Sequence, residues 1–199
     1  MISFTDLSKA EPYIIFKSFY DRASQAKQNN IEAISISSYD KENGEVESRL
    51  VNLKYIHKNK WIFFTNYSSP KALQFKYHNQ ISAIFFWQTI NVQIRIKANI
   101  TMSPTDFSDT HFNSRSNDKN AAAISSDQSN RIESYEDVIS KYQSVLNQNN
   151  ILKKRPVNWG GYQFTPYYFE FWEGNKLRLN RRRGYEKINN DWKLFFLEP

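Results

Sequence analysis

The sequence predicts an α+β fold: a β-barrel of mostly antiparallel strands with helices at its periphery. Three observations predict it. Many short strand patterns run along the 199 residues, helical patterns interrupt them only near the beginning and in the middle, and an aromatic fraction of 16% supplies material for a core. No repeat or linker divides the chain, so we expect one domain over residues 1–199.

The first half of the chain alternates helices with short strands. Pro12 and apolar residues at helical spacing predict a helix over Glu11–Gln28. Pro70, in the first turn of a second pattern, predicts a short helix that ends near His78. Between the two helices, alternating residues predict strands over 34–37, 47–54 and 60–65, with a polar turn over 40–44.

The second half opens with two strands of different pattern. Ile81–Trp87 is an apolar run interrupted only by Ser82, which predicts a fully buried strand. Val92–Ile100 alternates strictly between apolar and polar residues, which predicts a half-buried strand. Helix starts are predicted at Ser103–Asp106 and at Ser134–Asp137, the second helix running to about Asn147. We interpret residues 114–131 as a polar loop around a short alanine run, and expect strands over 161–171, 176–180 and 192–197.

Charge and residue types limit what the chain can bind. With 27 Lys+Arg against 20 Asp+Glu, the formal charge is +7, which favours anionic ligands. The absence of cysteine excludes disulfides and cysteine-ligated metals. The three histidines, His57, His78 and His111, are scattered, so no metal site is expected.

No sequence feature points to a membrane or an export signal. No apolar run approaches the ~20 residues needed to span a bilayer. Residues 1–6 lack the basic and apolar regions of a signal peptide. We therefore expect a cytoplasmic protein with no membrane partner.

Individual charged residues are weak evidence for a ligand-binding site. Arg49 and Lys54 lie five apart, so a regular strand would direct them to opposite faces. Unless the strand bends, two solvated charges explain that spacing better than one shared ligand. Lys71 lies at a helix start, where free N–H groups and the helix dipole attract phosphate.

A basic cluster near the C-terminus has two interpretations. Arginines 178, 181, 182 and 183, with Trp172, Tyr185 and Trp192 nearby, fit a groove for single-stranded nucleic acid. They fit better an edge strand and turn with solvated charges, so no nucleic-acid partner is expected. From these residues alone we predict a basic α+β domain for phosphorylated ligands.

Three sequence blocks carry a family resemblance that extends over residues 11–199. They are Arg49-Leu50-Val51-Asn52-Leu53-Lys54, Phe63-Phe64-Thr65-Asn66-Tyr67 and Phe169-Glu170-Phe171-Trp172. In order and spacing they resemble the pyridoxamine 5'-phosphate oxidase family. That resemblance implies an FMN-binding split β-barrel and a homodimer with FMN at its interface.

The positions that match FMN contacts in that family are nearly all kept. They are Arg49, Lys54, Phe64, Thr65, Lys71, Gln93, Gln128, Ser129, Trp172 and Arg182. One contact is lost, because Pro70 stands where the family usually has an arginine. A hydrogen bond to a charged group is worth roughly 1.5–3 kcal/mol, so the resemblance implies weaker binding of the FMN phosphate. Arg49 and Lys71 would still bind that phosphate.

The positions that match substrate contacts are more altered. Lys54, Arg115 and Arg178 are kept, His111 replaces a phosphate-binding tyrosine, and Lys119 replaces a serine. Both replacements can still donate hydrogen bonds to an anion. The resemblance thus implies a pocket for the substrate phosphate formed by Lys54, His111, Arg115 and Lys119.

The C-terminal signature departs most from the family. Its pattern is close to R-L-H-(D/E)-R, whereas this chain has Arg178-Leu179-Asn180-Arg181-Arg182. The resemblance implies catalytic positions for Arg178, against the substrate ring, and for Asn180. Asparagine cannot titrate near neutral pH as the usual histidine does. The N-terminal arm that often closes over the substrate is short here.

The implied activity is hydride transfer from C4' of pyridoxine or pyridoxamine 5'-phosphate to flavin N5. Oxygen then reoxidises the flavin, and the products are pyridoxal 5'-phosphate and hydrogen peroxide. Two alternatives stay open. One is the same chemistry on another ring system, such as late intermediates of phenazine synthesis, which Asn180, Arg181 and the short N-terminal arm favour. The other is a non-catalytic carrier or sensor of FMN or pyridoxal phosphate.

Overall fold

The computed structural model describes residues 1–148 and 150–199, which contain ten strands and five α-helices. The strands are β1 (Ser3–Thr5), β2 (Ala33–Asp40), β3 (Glu45–Asn52), β4 (Tyr55–His57), β5 (Lys60–Asn66), β6 (Gln80–Trp87), β7 (Val92–Met102), β8 (Trp159–Glu173), β9 (Arg181–Ile188) and β10 (Asp191–Leu197). The helices are α1 (Glu11–Gln25), α2 (Pro70–Tyr77), α3 (Thr105–Ser114), α4 (Asn117–Ser125) and α5 (Tyr135–Leu146).

All ten strands belong to one sheet. Its order is β1-β4-β5-β8-β7-β6-β2-β3, and β9 joins β8 to β10. The pairs are antiparallel apart from β1 with β4. Mostly antiparallel strands with helices between them are the α+β arrangement predicted from the sequence. In the described residues, no helix is both long and apolar enough to cross a bilayer.

The core is aromatic and lies between α1 and the sheet. The predicted alternation in β7 is confirmed, since Ile94 and Ile96 are fully buried. The ring of Phe16 in α1 lies 4.4 Å from that of Trp61 in β5, between centroids. Burying a side chain of this size contributes about 1.5–3 kcal/mol, so these contacts fix α1 on the sheet.

The prediction that residues 81–87 form a fully buried strand is wrong. In β6, Ile81, Ala83 and Phe85 are buried, but Phe86 is 56% exposed. An antiparallel sheet commonly has only one face on the core. The sequence does not show this alternation between buried and exposed positions, because both faces of β6 carry apolar residues.

The prediction that residues 114–131 form a loop is wrong, because α4 forms over Asn117–Ser125. Its alanines have the highest helix propensity. The buried Asn120 then fixes the helix, since its Nδ2 donates to the carbonyls of Phe112 and Leu152 at 3.0 and 2.8 Å. Those tertiary contacts are invisible in a polar sequence pattern.

The strand predicted over residues 176–180 is a turn, and β9 begins only at Arg181. Asn175 makes the turn: its side chain accepts the N–H of Leu177 at 2.8 Å, and its carbonyl accepts the N–H of Arg178 at 3.0 Å. Helix boundaries also differ slightly. Helix α1 ends at Gln25, because Lys27 adopts a left-handed φ of 55°. Helix α5 begins as predicted, with a capping box between Ser134 and Asp137.

Candidate active site

One cavity lies between β3 and the first turn of α2. Its volume is about 460 Å³, and its walls are Glu47, Ser48, Arg49, Leu50, Pro70, Lys71, Gln128 and Ser129. Four predicted cofactor residues, Arg49, Lys71, Gln128 and Ser129, therefore share one cavity. Pro70 and Lys71, at the start of α2, line this cavity, so the positive end of the helix dipole lies near it and favours an anion.

Lys71 is buried among neutral oxygens. Its Nζ donates to Ser69 Oγ and to Gln128 Oε1, both at 3.1 Å. Gln128 Oε1 also accepts the hydroxyl of Thr65 at 2.9 Å, which ties β5, α2 and residue 128 together. Burial, and secondarily the charge of Arg49, lowers the pKa of Lys71 to about 8. A buried ammonium whose hydrogen-bond partners are neutral is a strong attractor for an anion.

Arg49 is held against the wall of the same cavity by a buried polar pair. Its Nη1 donates to Ser38 Oγ at 2.5 Å, and its Nη2 reaches Gln74 Oε1 at 3.4 Å. Ser38 also donates to Gln74, and both residues are buried. On the cavity side, Arg49 Nη2 donates to Glu47 Oε2 at 2.7 Å. The guanidinium therefore has a fixed orientation.

The chain leaves β3 before Lys54 and turns toward β5. Strand β3 ends at Asn52, and the N–H of Lys54 then donates to the carbonyl of Ile62 in β5 at 2.8 Å. Lys54 lines a second cavity that shares Leu50, Lys71 and Gln128 with the first. Arg49 and Lys54 thus line two different cavities that share part of their walls, and contact of both with one ligand stays a prediction.

The second cavity collects the predicted substrate residues. It has a volume of about 520 Å³ and is lined by Lys54, His111, Arg115 and Lys119, together with Phe64, Thr65 and Trp159. His111 lies on α3, Arg115 follows that helix, and Lys119 lies in the first turn of α4. The short connection between α3 and α4 thus brings these three side chains together.

Arg115 is a fixed planar donor in this cavity. Its guanidinium carbon lies 4.5 Å from the centre of the Trp159 ring, and its Nη2 donates to the carbonyl of Lys119 at 2.8 Å. Its Nη1 is buried and has no hydrogen-bond partner among the described residues. A guanidinium of this kind suits a phosphate or a carboxylate.

His111 is a neutral donor beside Arg115. Its ring stacks on Phe64 with centroids 3.7 Å apart, and burial with the charges of Arg115, Lys54 and Lys119 lowers its pKa to about 4. Its Nδ1 lies 2.8 Å from Tyr55 Oη. When the tyrosine donates to Nδ1, the ring proton is assigned to Nε2, which can donate to an anion.

Sequence reasoning missed Tyr55. It lies next to Lys54, on β4, but is 56 residues away from its partner His111. No spacing or motif connects the two residues in the sequence. Only the bend after β3 brings the hydroxyl to the imidazole.

Three other predicted cofactor residues lie side by side on the sheet. Gln93 of β7 pairs with Trp172 of β8, which pairs with Arg182 of β9. Arg182 Nη2 donates to Glu170 Oε1 at 2.7 Å, and the other oxygen of this carboxylate accepts Arg95 at 2.8 Å. Glu170 is only 1% exposed, so a buried carboxylate orients Arg182.

The two predicted catalytic residues lie on the turn between β8 and β9. Arg178 is exposed and has a left-handed φ of 60°. A non-glycine residue in this conformation costs about 1–3 kcal/mol and is often found at functional sites. Asn180 Oδ1 accepts the N–H of Asn175 at 3.0 Å, so this side chain stabilises the turn.

The predicted site residues thus fall into two groups. The anion-pocket group lines the two cavities described above and a third, adjoining one; it consists of Arg49, Lys54, Phe64, Thr65, Lys71, His111, Arg115, Lys119, Gln128 and Ser129. The sheet group consists of Gln93, Trp172, Arg178, Asn180 and Arg182. Within the part of the chain that the structure describes, no sheet-group residue lines any of these three cavities.

Comparisons with known proteins agree with this fold. Residues 159–199 match the family model described as the pyridoxine 5'-phosphate oxidase C-terminal dimerisation region. The chain is 32% identical over 194 residues to pyridoxine/pyridoxamine 5'-phosphate oxidase 1 of Hydrogenovibrio crunogenus, covering 96% of this chain and 89% of that protein. It is 35% identical over 190 residues to the corresponding oxidase of Cytophaga hutchinsonii, covering 92% and 86%.

A solved structure extends the similarity to three dimensions. PhzG from Burkholderia lata 383, crystallised with tetrahydrophenazine-1-carboxylic acid, is 26% identical and superimposes with a TM-score of 0.90, covering 96% of this chain and 93% of that one. The fold is therefore an α+β split barrel of the kind that binds FMN, as predicted. The chain belongs to the pyridoxine/pyridoxamine 5'-phosphate oxidase family and is an FMN-dependent oxidoreductase by class.

Proposed function

We propose that this chain binds FMN and oxidises pyridoxine or pyridoxamine 5'-phosphate to pyridoxal 5'-phosphate, with oxygen as the final acceptor. The observation that carries the proposal is the pair of joined cavities, each with a cation held by neutral groups. Lys71 supplies that cation in the first cavity, and Arg115 supplies it in the second. Cofactor and substrate each carry one phosphate, so two neighbouring anion sites match the reactants.

The donors of the first cavity fit the phosphate of FMN. Lys71 and Arg49 supply two positive charges, and Ser129 and Gln128 supply neutral polar groups. Thr65 and Phe64 continue from there into the second cavity, where their side chains would contact the flavin ring. The family relationship supports the same cofactor.

A homodimer would complete the site. The sheet group lies outside the cavities of its own chain, and residues 159–199 match a dimerisation region. We propose that the sheet group of one copy faces the anion-pocket group of the other, with FMN between them. Such an arrangement explains why one chain has both halves of a site without joining them.

In this proposal the residues of the second cavity bind and orient the substrate. Lys54, Arg115 and Lys119 hold its phosphate, and His111 donates from Nε2. Arg178 lies against the ring and directs C4' toward the cofactor. Anchoring of this kind converts binding energy into orientation. FMN, when bound, supplies the acceptor for the hydride.

The visible absorption spectrum of the purified protein tests this function. Under anaerobic conditions we expect flavin bands that bleach when pyridoxine 5'-phosphate is added. Arg178→Ala is the matched control, since it should keep the bands and bleach far more slowly. Flavin bands that do not respond would refute this substrate. A protein without flavin that takes up no added FMN would refute the cofactor.

A second candidate is the same chemistry on a different ring. Asn180 favours it, because its side chain is engaged in the turn and cannot titrate as a histidine would. The structural similarity to PhzG points in the same direction. Bleaching by a reduced phenazine carboxylate, with no response to pyridoxine 5'-phosphate, would establish this alternative.

A further inference from the structure

We propose that Glu47 occupies the position of the cofactor phosphate beside Arg49, and that FMN must displace it to bind. Glu47 would thereby lower the selectivity of the site for FMN over riboflavin, the cofactor without its phosphate. The inference rests on the proposed function, because it takes the ligand of the first cavity to be FMN.

Glu47 lies where an incoming phosphate would bind. It lines the first cavity with Arg49 and Lys71, and among the lining residues that the structure describes it is the one carboxylate. Its Oε2 is 2.7 Å from Arg49 Nη2, and its negative charge partly opposes the lowering of the Lys71 pKa. One carboxylate therefore acts on both cations that would hold the phosphate.

Arg49 does not need Glu47 for its orientation. Ser38 and Gln74 hold the guanidinium from the buried side, through contacts at 2.5 and 3.4 Å. Glu47 contacts it from the cavity side, with 43% of its side chain exposed against 20% for Arg49. The bond to Glu47 thus satisfies a guanidinium N–H that a phosphate oxygen would otherwise accept.

The charge balance of the cavity makes this competition matter. Among its lining residues, Arg49 and Lys71 contribute +2 and Glu47 contributes −1, so the net charge is +2 − 1 = +1. Pro70 adds neither a charge nor a backbone N–H at the start of α2. A phosphate dianion entering this cavity meets one uncompensated cation and one repelling carboxylate.

The experiment compares two flavins with two charge-removing variants. Dissociation constants for FMN and riboflavin are measured by quenching of flavin fluorescence on apoprotein. Glu47→Gln should lower the FMN constant roughly fivefold, because a partly exposed ion pair is screened by solvent. The riboflavin constant should stay within about twofold, because riboflavin carries no phosphate to compete for Arg49.

Glu45→Gln is the matched control. Glu45 is exposed on the same strand and the same face, two residues away, and does not line the cavity. Its loss changes the net charge equally, so it should leave both constants unchanged. The decrease in the FMN dissociation constant caused by Glu47→Gln should also become smaller as the salt concentration is raised, because salt screens the charges.

The possible outcomes distinguish a failure of the Glu47 proposal from a failure of the proposed FMN-dependent function. Intact binding of both flavins with an unchanged ratio in Glu47→Gln would overturn the inference alone. Weaker FMN binding in that variant would also overturn it and would make Glu47 a positioning residue for Arg49. Failure of every variant to bind either flavin would overturn the proposed function, and the inference with it.

Discussion

The anion-pocket group and the sheet group are built in opposite ways. In the first, Thr65, Lys71 and Gln128 are bonded to one another across β5, α2 and the segment after α4. In the second, Arg182 is bonded to Glu170 and Asn180 to Asn175, with no bond from one member of the group to another among the described residues. We therefore propose that the first group forms a site by folding alone, and that the second becomes part of a site only when another surface faces it.

This contrast predicts how damage to the two groups should combine. At an FMN concentration that only just saturates the wild-type protein, a dimer of Lys71→Ala chains and a dimer of Arg178→Ala chains should both be nearly inactive. A heterodimer of the two, purified with two different tags, should recover about half the wild-type activity, because symmetry leaves one of its two sites intact. Turnover of the three dimers measures this. No recovery would show that both groups act within one chain.

Arg178→Ala alone should separate chemistry from cofactor binding. We expect kcat/KM to fall on the order of 100-fold, because the substrate ring loses its orienting group. The FMN dissociation constant should not change, since the anion-pocket group is intact. Lys176→Ala, on the same turn, is the control and should be close to wild type. An equal loss in both variants would point to the turn and not to the guanidinium.

Lys71→Ala should weaken cofactor binding by the anion-pocket group. Loss of a charged hydrogen bond worth about 1.5–3 kcal/mol should weaken FMN binding roughly 10- to 150-fold. Riboflavin binding should weaken much less. Isothermal titration with both flavins checks this, and Lys76→Ala, exposed later in the same helix, is the control. Equal weakening of both flavins would remove Lys71 from the phosphate site.

The pH dependence of FMN binding should report on the same lysine. The pKa of Lys71 is lowered to about 8 by burial first and then by Arg49, and a bound phosphate would raise it. Below pH 8 the ammonium is already present. Above pH 8 the protein must take up a proton to bind, so the FMN dissociation constant should rise by up to about tenfold per pH unit. Titrations from pH 7 to 9.5 measure this, and Lys71→Ala should flatten the profile.

Tyr55→Phe should have the smallest effect. Without its hydroxyl, His111 loses the bond that keeps its proton on Nε2, so the substrate KM should rise about two- to tenfold, with kcat nearly unchanged. Tyr39→Phe is the control, because Tyr39 lies against His78, outside the cavities. Steady-state kinetics distinguish the two variants. A change in kcat alone would contradict the assignment of Tyr55 to anion binding.

Sequence reasoning succeeded where information is local. Three kinds of pattern show this: the alternation in β7, the capping box of α5, and the blocks around Arg49 and Thr65. Each of these patterns is contained within a few consecutive residues. It failed where a distant contact decides. Helix α4 depends on the buried Asn120, which donates to the carbonyl of Leu152, 32 positions away. The turn before β9 was missed for a different reason, because a local bond from the N–H of Leu177 to Asn175 Oδ1 interrupts the strand pattern. Tyr55, Ser38 and Gln74 become site residues only through bonds that span 56 and 36 positions.

The buried ammonium of Lys71 also bears on how long the protein survives. Its pKa is lower in the folded chain than in an unfolded one, so below pH 8 folding confines a charge at a cost, and that cost disappears as pH rises toward 10.5. A bound phosphate would offset it, and a ligand at 100 times its dissociation constant adds about 2.7 kcal/mol of stability. Chains that are synthesised when flavin is scarce would then be less stable and would be degraded faster. Flavin supply would therefore affect the abundance of this protein as well as its activity.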